Sequence, residues 1–412
     1  MRFHRGLFLA VGASAVAGAC AAAGTGAGGA TAGAGAFPTV SCAAGVPTTA
    51  SPAAVLAQRT LLLARSPEAF NGAFTAAQAA ATAEPGNPQN QFLLGQAAVG
   101  AGNFEEADRA WDRAVELCPA FEAEIAPERE RGWATAFQAG LDAYQQNDTA
   151  TAMASWQRAN SIYGGRPDAY YNLGVVYSQR GDLTQATAAY REALTVLDRM
   201  AADTSAAEMT SRAETRQNSL AGLLSVGARQ FQAEQYGPAI EVFRQLTTID
   251  QNNRDAWYNY ALALYKQERW ADLTPIAQRV VQIDPLNENA RIILFNSYKG
   301  QAEASGQNTA GQRALQNQAL KVLEEVEALP VHVDEIRFET PEGGQAALTG
   351  KVIGNKANAG TQVALTFTFY GPGGQVGTQS TTVAAPAKGQ SASFTVPLPA
   401  GQTVTSFSYT FR

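Results

Sequence analysis

Histidine is almost missing, with two residues in 412. His4 belongs to the extreme N-terminal segment, and His332 stands alone between Val331 and Val333, neighbours that favour a strand position. A Ser-His-Asp or Cys-His arrangement would have to use His332, so no catalytic residue is assigned and an enzyme is not expected. Cysteine is as scarce: Cys20, Cys42 and Cys118. There is no Cys/His cluster with zinc spacing and no EF-hand loop, so neither a metal nor a cofactor is expected. Charge is thin, at 16% of residues with a net of -6; without the N-terminal segment carrying Arg2 and Arg5, 28 basic residues face 36 acidic ones. No Lys/Arg cluster stands out, and phosphate backbones require one, which excludes DNA and RNA as partners. "GTGAGG" (Gly24 to Gly29) fits G-x-G-x-x-G, but no strand precedes it and no helix pattern follows it, so it is not a phosphate loop. The mixed run Glu128, Arg129, Glu130, Arg131 reads as a solvated helix face.

Long apolar runs are lacking too. "MRFHRGLFLAVGASAVAGAC" has a basic start and an apolar stretch from Leu7 that is too short, and too rich in Ala and Gly, to span a bilayer. It reads as an export signal over residues 1–19. The final "AGAC" resembles the lipobox of bacterial lipoproteins, with Ala17 where Leu is usual; the resemblance implies that Cys20 is the lipidated first residue. Ala17-Gly18-Ala19 equally satisfies an ordinary small-x-small cleavage rule. The Gly/Ala-rich stretch 20–50 reads as a flexible tether. An oxidising compartment makes a Cys42–Cys118 disulfide possible; the alternative is a free buried thiol at Cys118.

What is abundant is a repeat. In "YYNLGVVYSQRGDLTQATAAYREAL" (Tyr170 to Leu194), Tyr170, Leu173, Gly174 and Tyr177 share one helical face. Gly181 supplies a left-handed stop, and Asp182 with Gln185 reads as a capping box. Ala186, Tyr190, Ala193 and Leu197 form the stripe of a second helix, Tyr190 filling the space left by Gly174. The second-helix trio recurs as Ala73, Ala77, Ala80; Ala107, Trp111, Ala114; Ala152, Trp156, Ala159; Ala239, Phe243, Leu246; and Leu273, Ala277, Val280. Successive trios are offset by 34, 45, 34, 53 and 34 residues, that is, 34 with insertions of 11 and 19. The first-helix glycine recurs at Gly95, Gly140, Gly174 and Gly227, with Ala261 once in its place, and Pro85, Pro119 and Pro285 end helices at one offset. The copy from Ser51 lacks the glycine, and a last copy near Asn289 reads as split by "QAEASGQNTAGQ". Trp111, Trp156 and Trp257 read as repeat core.

This unit resembles the tetratricopeptide repeat over residues 51–329. The resemblance implies a right-handed solenoid of six or seven helical pairs whose first helices line a concave groove for extended peptides or partner helices. The family's groove-facing spacing, placed on the best copies, selects Tyr171, Asn172, Val175 and Gln179, then Tyr258, Asn259, Leu262 and Lys266. Asn172 and Asn259 could hold a peptide backbone, or could only bond to the next repeat.

From Val331 the helical period gives way to alternation. "AALTGKVIGNKANAG", "TQVALTFTFYGPGGQVGTQSTTVAAP", "KGQSASFTVPLPAG" and "VTSFSYTFR" predict six or seven short strands, with a hairpin at Gly371-Pro372-Gly373-Gly374. The pattern is similar to FxLYD-type envelope domains, with Phe367, Phe369 and Tyr370 in the signature and Gly371 where that family has Asp. The expected class is multidomain α + β: a helical solenoid, then an antiparallel immunoglobulin-like sandwich over 331–412 that folds by itself. The expected function is an envelope-anchored, non-catalytic scaffold for a protein or peptide partner. The alternatives are a transient assembly factor for outer-membrane or secretion machinery, and a polysaccharide-binding accessory subunit. The sequence does not fix the oligomeric state.

Overall fold

A computed structural model describes residues 37–200, 205–305, 309–339, 345–371 and 373–412. The stretch read as an export signal, Cys20 and the first part of the stretch read as a tether lie outside the described residues. Among the described residues, fourteen α-helices are followed by six strands. The helices come in consecutive pairs: α1 (Pro52–Leu63) and α2 (Pro67–Ala83), α3 (Pro88–Gly100) and α4 (Phe104–Leu117), α5 (Glu122–Gln145) and α6 (Thr149–Ile162), α7 (Asp168–Arg180) and α8 (Leu183–Arg199). Then come α9 (Ala206–Gln232) and α10 (Tyr236–Ile249), α11 (Arg254–Lys266) and α12 (Trp270–Ile283), α13 (Glu288–Ala304) and α14 (Ala310–Ala328). The chain divides into two compact units, one ending at Ser219 and the other Leu220–Arg412.

The starts of the helices are set locally. Ser51, Ser66 and Asn87 each accept a hydrogen bond from the first turn, with proline as the first helical residue, where its missing N–H costs nothing. All six second-helix trios are buried, from Ala73 to Val280. The glycines explain the close approach. A Cβ on Gly95 would stand 2.2 Å from Trp111 Nε1, and on Gly140 2.4 Å from Trp156 Nε1. On Gly174 it would stand 2.7 Å from Tyr190, and on Gly227 2.6 Å from Phe243.

Several expectations need correction. The insertions coincide with lengthened first helices, α5 having 24 residues and α9 27. Within the stretch read as splitting the last copy, α13 runs to Ala304 and α14 starts at Ala310. Gly181 does adopt the left-handed stop (φ 84°), but Asp182 makes no capping hydrogen bond; its carboxylate pairs with Arg180 at 3.3 Å instead. The core face of α7 is broader than one stripe. Ala169, Asn172, Leu173, Gly174 and Val176 are buried, while Tyr170 and Tyr177 are half-buried. A first helix packs both on its own partner and on the preceding pair, here α8 and α6, so two faces are covered. Trp257 is not core: it is half-buried and its indole N–H donates to the Gln251 carbonyl at 2.9 Å. Arg129 leaves the solvated face expected of it and pairs with Asp108 and Asp112 on α4.

Residues 37–50, read as tether, are packed against the helices. Val40 is buried among Trp111, Cys118 and Phe121. Gln89 Nε2 donates to the carbonyls of Pro38 (2.7 Å) and Thr48 (3.2 Å), and Asn87 Nδ2 to that of Thr49 (3.0 Å). Cys42 and Cys118 are joined by a disulfide with a Cα–Cα distance of 5.3 Å.

The C-terminal part contains two three-stranded antiparallel sheets. One has β1 (Val331–Glu339), β2 (Ala347–Gly354) and β5 (Ser391–Pro397) in the order β1-β2-β5. The other has β3 (Gln362–Gly371), β4 (Gly374–Ala384) and β6 (Ser406–Phe411) in the order β4-β3-β6. Alternation along β3 turns Val363, Leu365, Phe367 and Phe369 into one buried core with Phe394, Val396 and Tyr409. Gly371 pairs with Gly374, which closes the expected hairpin, Pro372 lying outside the described residues.

This sheet pair does not stand apart from the helices. Leu286 and Leu329 belong to its core. Asp284, at the end of α12, is fully buried and accepts hydrogen bonds from Arg254 Nε (2.5 Å), Tyr409 OH (2.5 Å) and Asn287 Nδ2 (2.9 Å). The Leu286 N–H donates to Tyr409 OH at 3.2 Å, and the Val333 N–H to the Leu286 carbonyl at 3.0 Å. The change of periodicity at Pro330 is therefore a change of secondary structure inside one compact unit, not a border between separately packed bodies.

Candidate functional site

Repeat spacing puts Leu141 of α5 one 34-residue period before Val175 of α7. In the structure both line a small cleft, together with Tyr144, Trp156, Asn172 and Val176. Trp156 is buried at 1% exposure, its indole lying close against Gly140. Tyr144 forms one wall, its ring 5.8 Å from that of Trp156. Gln179 Nε2 donates to Tyr144 OH at 3.2 Å, which ties α7 to α5 at one end of the cleft. The lining is apolar apart from the Asn172 amide, the Tyr144 hydroxyl and the Trp156 indole N–H. No charged side chain lines it. Such a surface offers a shallow apolar contact, with the Tyr144 hydroxyl already bonded to Gln179.

Of the first expected quartet, two residues line this cleft. Val175 and Asn172 line the cleft, Asn172 at only 8% exposure, because α7 is covered on two sides. Gln179 is exposed at its end. Tyr171 is half-buried and packs on the core, its ring 6.0 Å from Tyr190. Burial raises its phenol above the ordinary tyrosine value, with Tyr144 adding to the shift. Leu141 and Tyr144 were not selected from the sequence; carrying Val175 back by one repeat would have found Leu141.

The second quartet lies on α11, in the unit from Leu220, and has a different setting. Tyr258 is half-buried; burial raises its phenol, Arg254 opposes that, and Asp334 and Asp284 add to it. It stands beside the network that joins α11 and α12 to the sheets. Asn259 and Leu262 are half-buried and Lys266 is exposed in the last turn. Tyr171 and Tyr258, both placed by the groove-facing spacing, are each half-buried within their own unit.

His332 sits on β1, half-buried, with Nε2 3.8 Å from a Glu288 carboxylate oxygen. Burial lowers its pKa and Glu288 partly restores it. Among the described residues, no group of three or more His, Cys, Asp or Glu side chains is placed to hold a metal ion. No helix among them is long and apolar enough to cross a membrane.

Residues 167–197, which are α7 and α8 with their entry, match the family model of the tetratricopeptide repeat. The chain carries this repeat. No curated protein sequence matches it. Among solved structures it is similar to residues 41 to the end of MamA from Desulfovibrio magneticus RS-1, at 16% identity and a TM-score of 0.25, over 47% of this chain and 92% of that one. It is also similar to YrrB, described as a TPR protein with an unusual peptide-binding site, at 16% identity and a TM-score of 0.29, over 50% and 93%. Yeast Tom70 aligns at 14% identity and a TM-score of 0.25, over 66% and 46%.

Proposed function

We propose that the chain is an exported, non-catalytic scaffold that holds a protein or peptide partner in the cleft between α5 and α7. The observation that carries this reading is the cleft itself: an apolar recess with an amide and a phenol, formed by consecutive first helices, one of them within the matched repeat. The Cys42–Cys118 disulfide supports export, since such bonds persist in oxidising compartments. Cys20 is the proposed lipid attachment point, with the helices following it close to the membrane surface. Fractionating wild type against Cys20→Ser reads this directly; a wild-type protein that is already soluble would point to ordinary secretion. The two sheets are proposed as an immunoglobulin-like spacer of the FxLYD type, with Phe367 and Phe369 as its core.

A peptide-display selection on the chain from residue 37 tests the binding reading. Selected peptides should lose at least about tenfold in affinity to Val175→Glu, equivalent to roughly 1.4 kcal/mol. Tyr144→Ala should weaken them as well, because an aromatic wall at the centre of a contact carries much of its energy. Binding unchanged by both substitutions, in variants with wild-type circular dichroism, would move the site elsewhere.

A further inference from the structure

α1 inverts the usual order of helix packing. It buries its small residues Ala54 and Ala57 in a cluster shared with α2 and α3. It leaves Leu56 at 66% exposure and Leu63 at 77%, with Leu62 exposed beside them. Leu56 and Leu63 are two helical turns apart, so they point the same way. Single exposed leucines are ordinary, but several on one short helix mark a surface that meets something apolar. α1 is also the first described helix, so no earlier pair covers it. A terminal repeat normally stays soluble through a polar outer face, and this one carries leucines there.

The identity of what meets this face follows from composition and charge. The stretch after Cys20, "AAAGTGAGGATAGAGA" (residues 21–36), has no side chain larger than threonine and offers nothing that would cover leucines. A second copy pairing through the same stripe would set its Arg59 beside the first, with like charges at the centre of an apolar contact. A phospholipid surface suits both features. α1 carries Arg59 between the leucines and has no acidic residue, so acyl chains take the leucines and a phosphate takes the guanidinium. The arginine stem can lie along the apolar layer while its head stays at the phosphates. The chain also enters the folded part here. Phe37 packs against the cluster that holds Ala54 and Ala57, and the stretch from Cys20 to Phe37 spans at most about 60 Å.

We propose that the outer face of α1 lies in the interfacial layer of an anionic phospholipid membrane, with Leu56 and Leu63 among the acyl chains and Arg59 at the phosphates. This deepens the anchoring reading and rests on it: a lipid on Cys20 holds the chain at the membrane, and α1 is the element turned toward it.

Flotation with phospholipid vesicles tests this on the chain from residue 37, which holds neither Cys20 nor the apolar stretch from Leu7. Wild type should float with vesicles of phosphatidylglycerol and phosphatidylethanolamine, and less with phosphatidylcholine alone. Leu56→Gln together with Leu63→Gln should lower the partition coefficient at least about tenfold on both. Arg59→Gln should lower it about fivefold, on the anionic vesicles only. All three side chains are exposed and glutamine suits a helix, so the urea midpoints should stay close to wild type. A wild type that does not float overturns the proposal, as does flotation that the leucine pair leaves unchanged. If light scattering instead shows a dimer that the leucine substitutions dissociate, the face pairs with a second copy and the proposal falls. Each of these results leaves lipidation of Cys20 standing, because fractionation of full-length wild type against Cys20→Ser reads that separately.

Discussion

Four first-helix glycines each face a ring, and the reason is contact distance rather than backbone freedom. Gly140 lies in the body of α5, where alanine would favour the helix by up to about 1 kcal/mol. A Cβ there would meet Trp156 at 2.4 Å, and that ring is enclosed. Overpacking of this kind costs about 1–3 kcal/mol, so the clash outweighs the propensity. Gly140→Ala should therefore lower the urea midpoint, by a net loss of roughly 1 kcal/mol or more; an unchanged midpoint would show that the indole can slide aside. Ala261 opposite Ala277 is the counter-case, where the second helix offers no ring and a methyl group fits. This exchange of sizes was legible in the sequence because both partners recur at a fixed offset. The half-burial of Tyr171 and Tyr258 was not. Repeat spacing gives the phase of a helix, but how much of each face the neighbours cover depends on packing between pairs.

At the scale of the element, the segment 37–50 shows what composition hides. Its Gly/Ala-rich lead-in made the stretch 20–50 read as a tether, yet Val40 and Cys42 pack into the core of α3 to α6 and the disulfide pins them there. The docking depends on side chains of α3 donating to backbone carbonyls, a long-range pairing with no local signature. Cys42 and Cys118 are 76 residues apart. In the chain-entropy model, closing a loop of this size in the unfolded state is worth about 4 kcal/mol. Reductant should accordingly lower the stability of the chain by up to that amount, and Cys42→Ser should do the same without reductant. Identical urea midpoints with and without reductant would mean that the bond contributes nothing. The lengthened α5 and α9 teach a similar lesson: an insertion in a repeat can be absorbed as extra helical turns, because each added residue brings its own hydrogen bond.

For the whole molecule, the informative boundary is not where the periodicity changes. Alternation after Pro330 correctly marked the strands, but the helix-to-sheet junction is closed by groups far apart in sequence: Asp284 with Tyr409, Asp250 with Ser406, and Leu286 and Leu329 in the sheet core. A fragment of residues 330–412 lacks the helical half of every one of these contacts. Losing the burial of two leucines removes about 1.5–3 kcal/mol each. Losing a hydrogen bond to a buried carboxylate removes about another 1.5–3. Domain stabilities are only about 5–15 kcal/mol, and a body this small sits near the low end. The fragment 330–412 should therefore be marginal, with a broad or absent thermal transition. The fragment 220–412, which keeps Arg254, Asp284 and Leu286, should melt cooperatively. Equal melting temperatures for the two would show that the sheets need no helical support. In that case the Asp284 network would serve only to orient them.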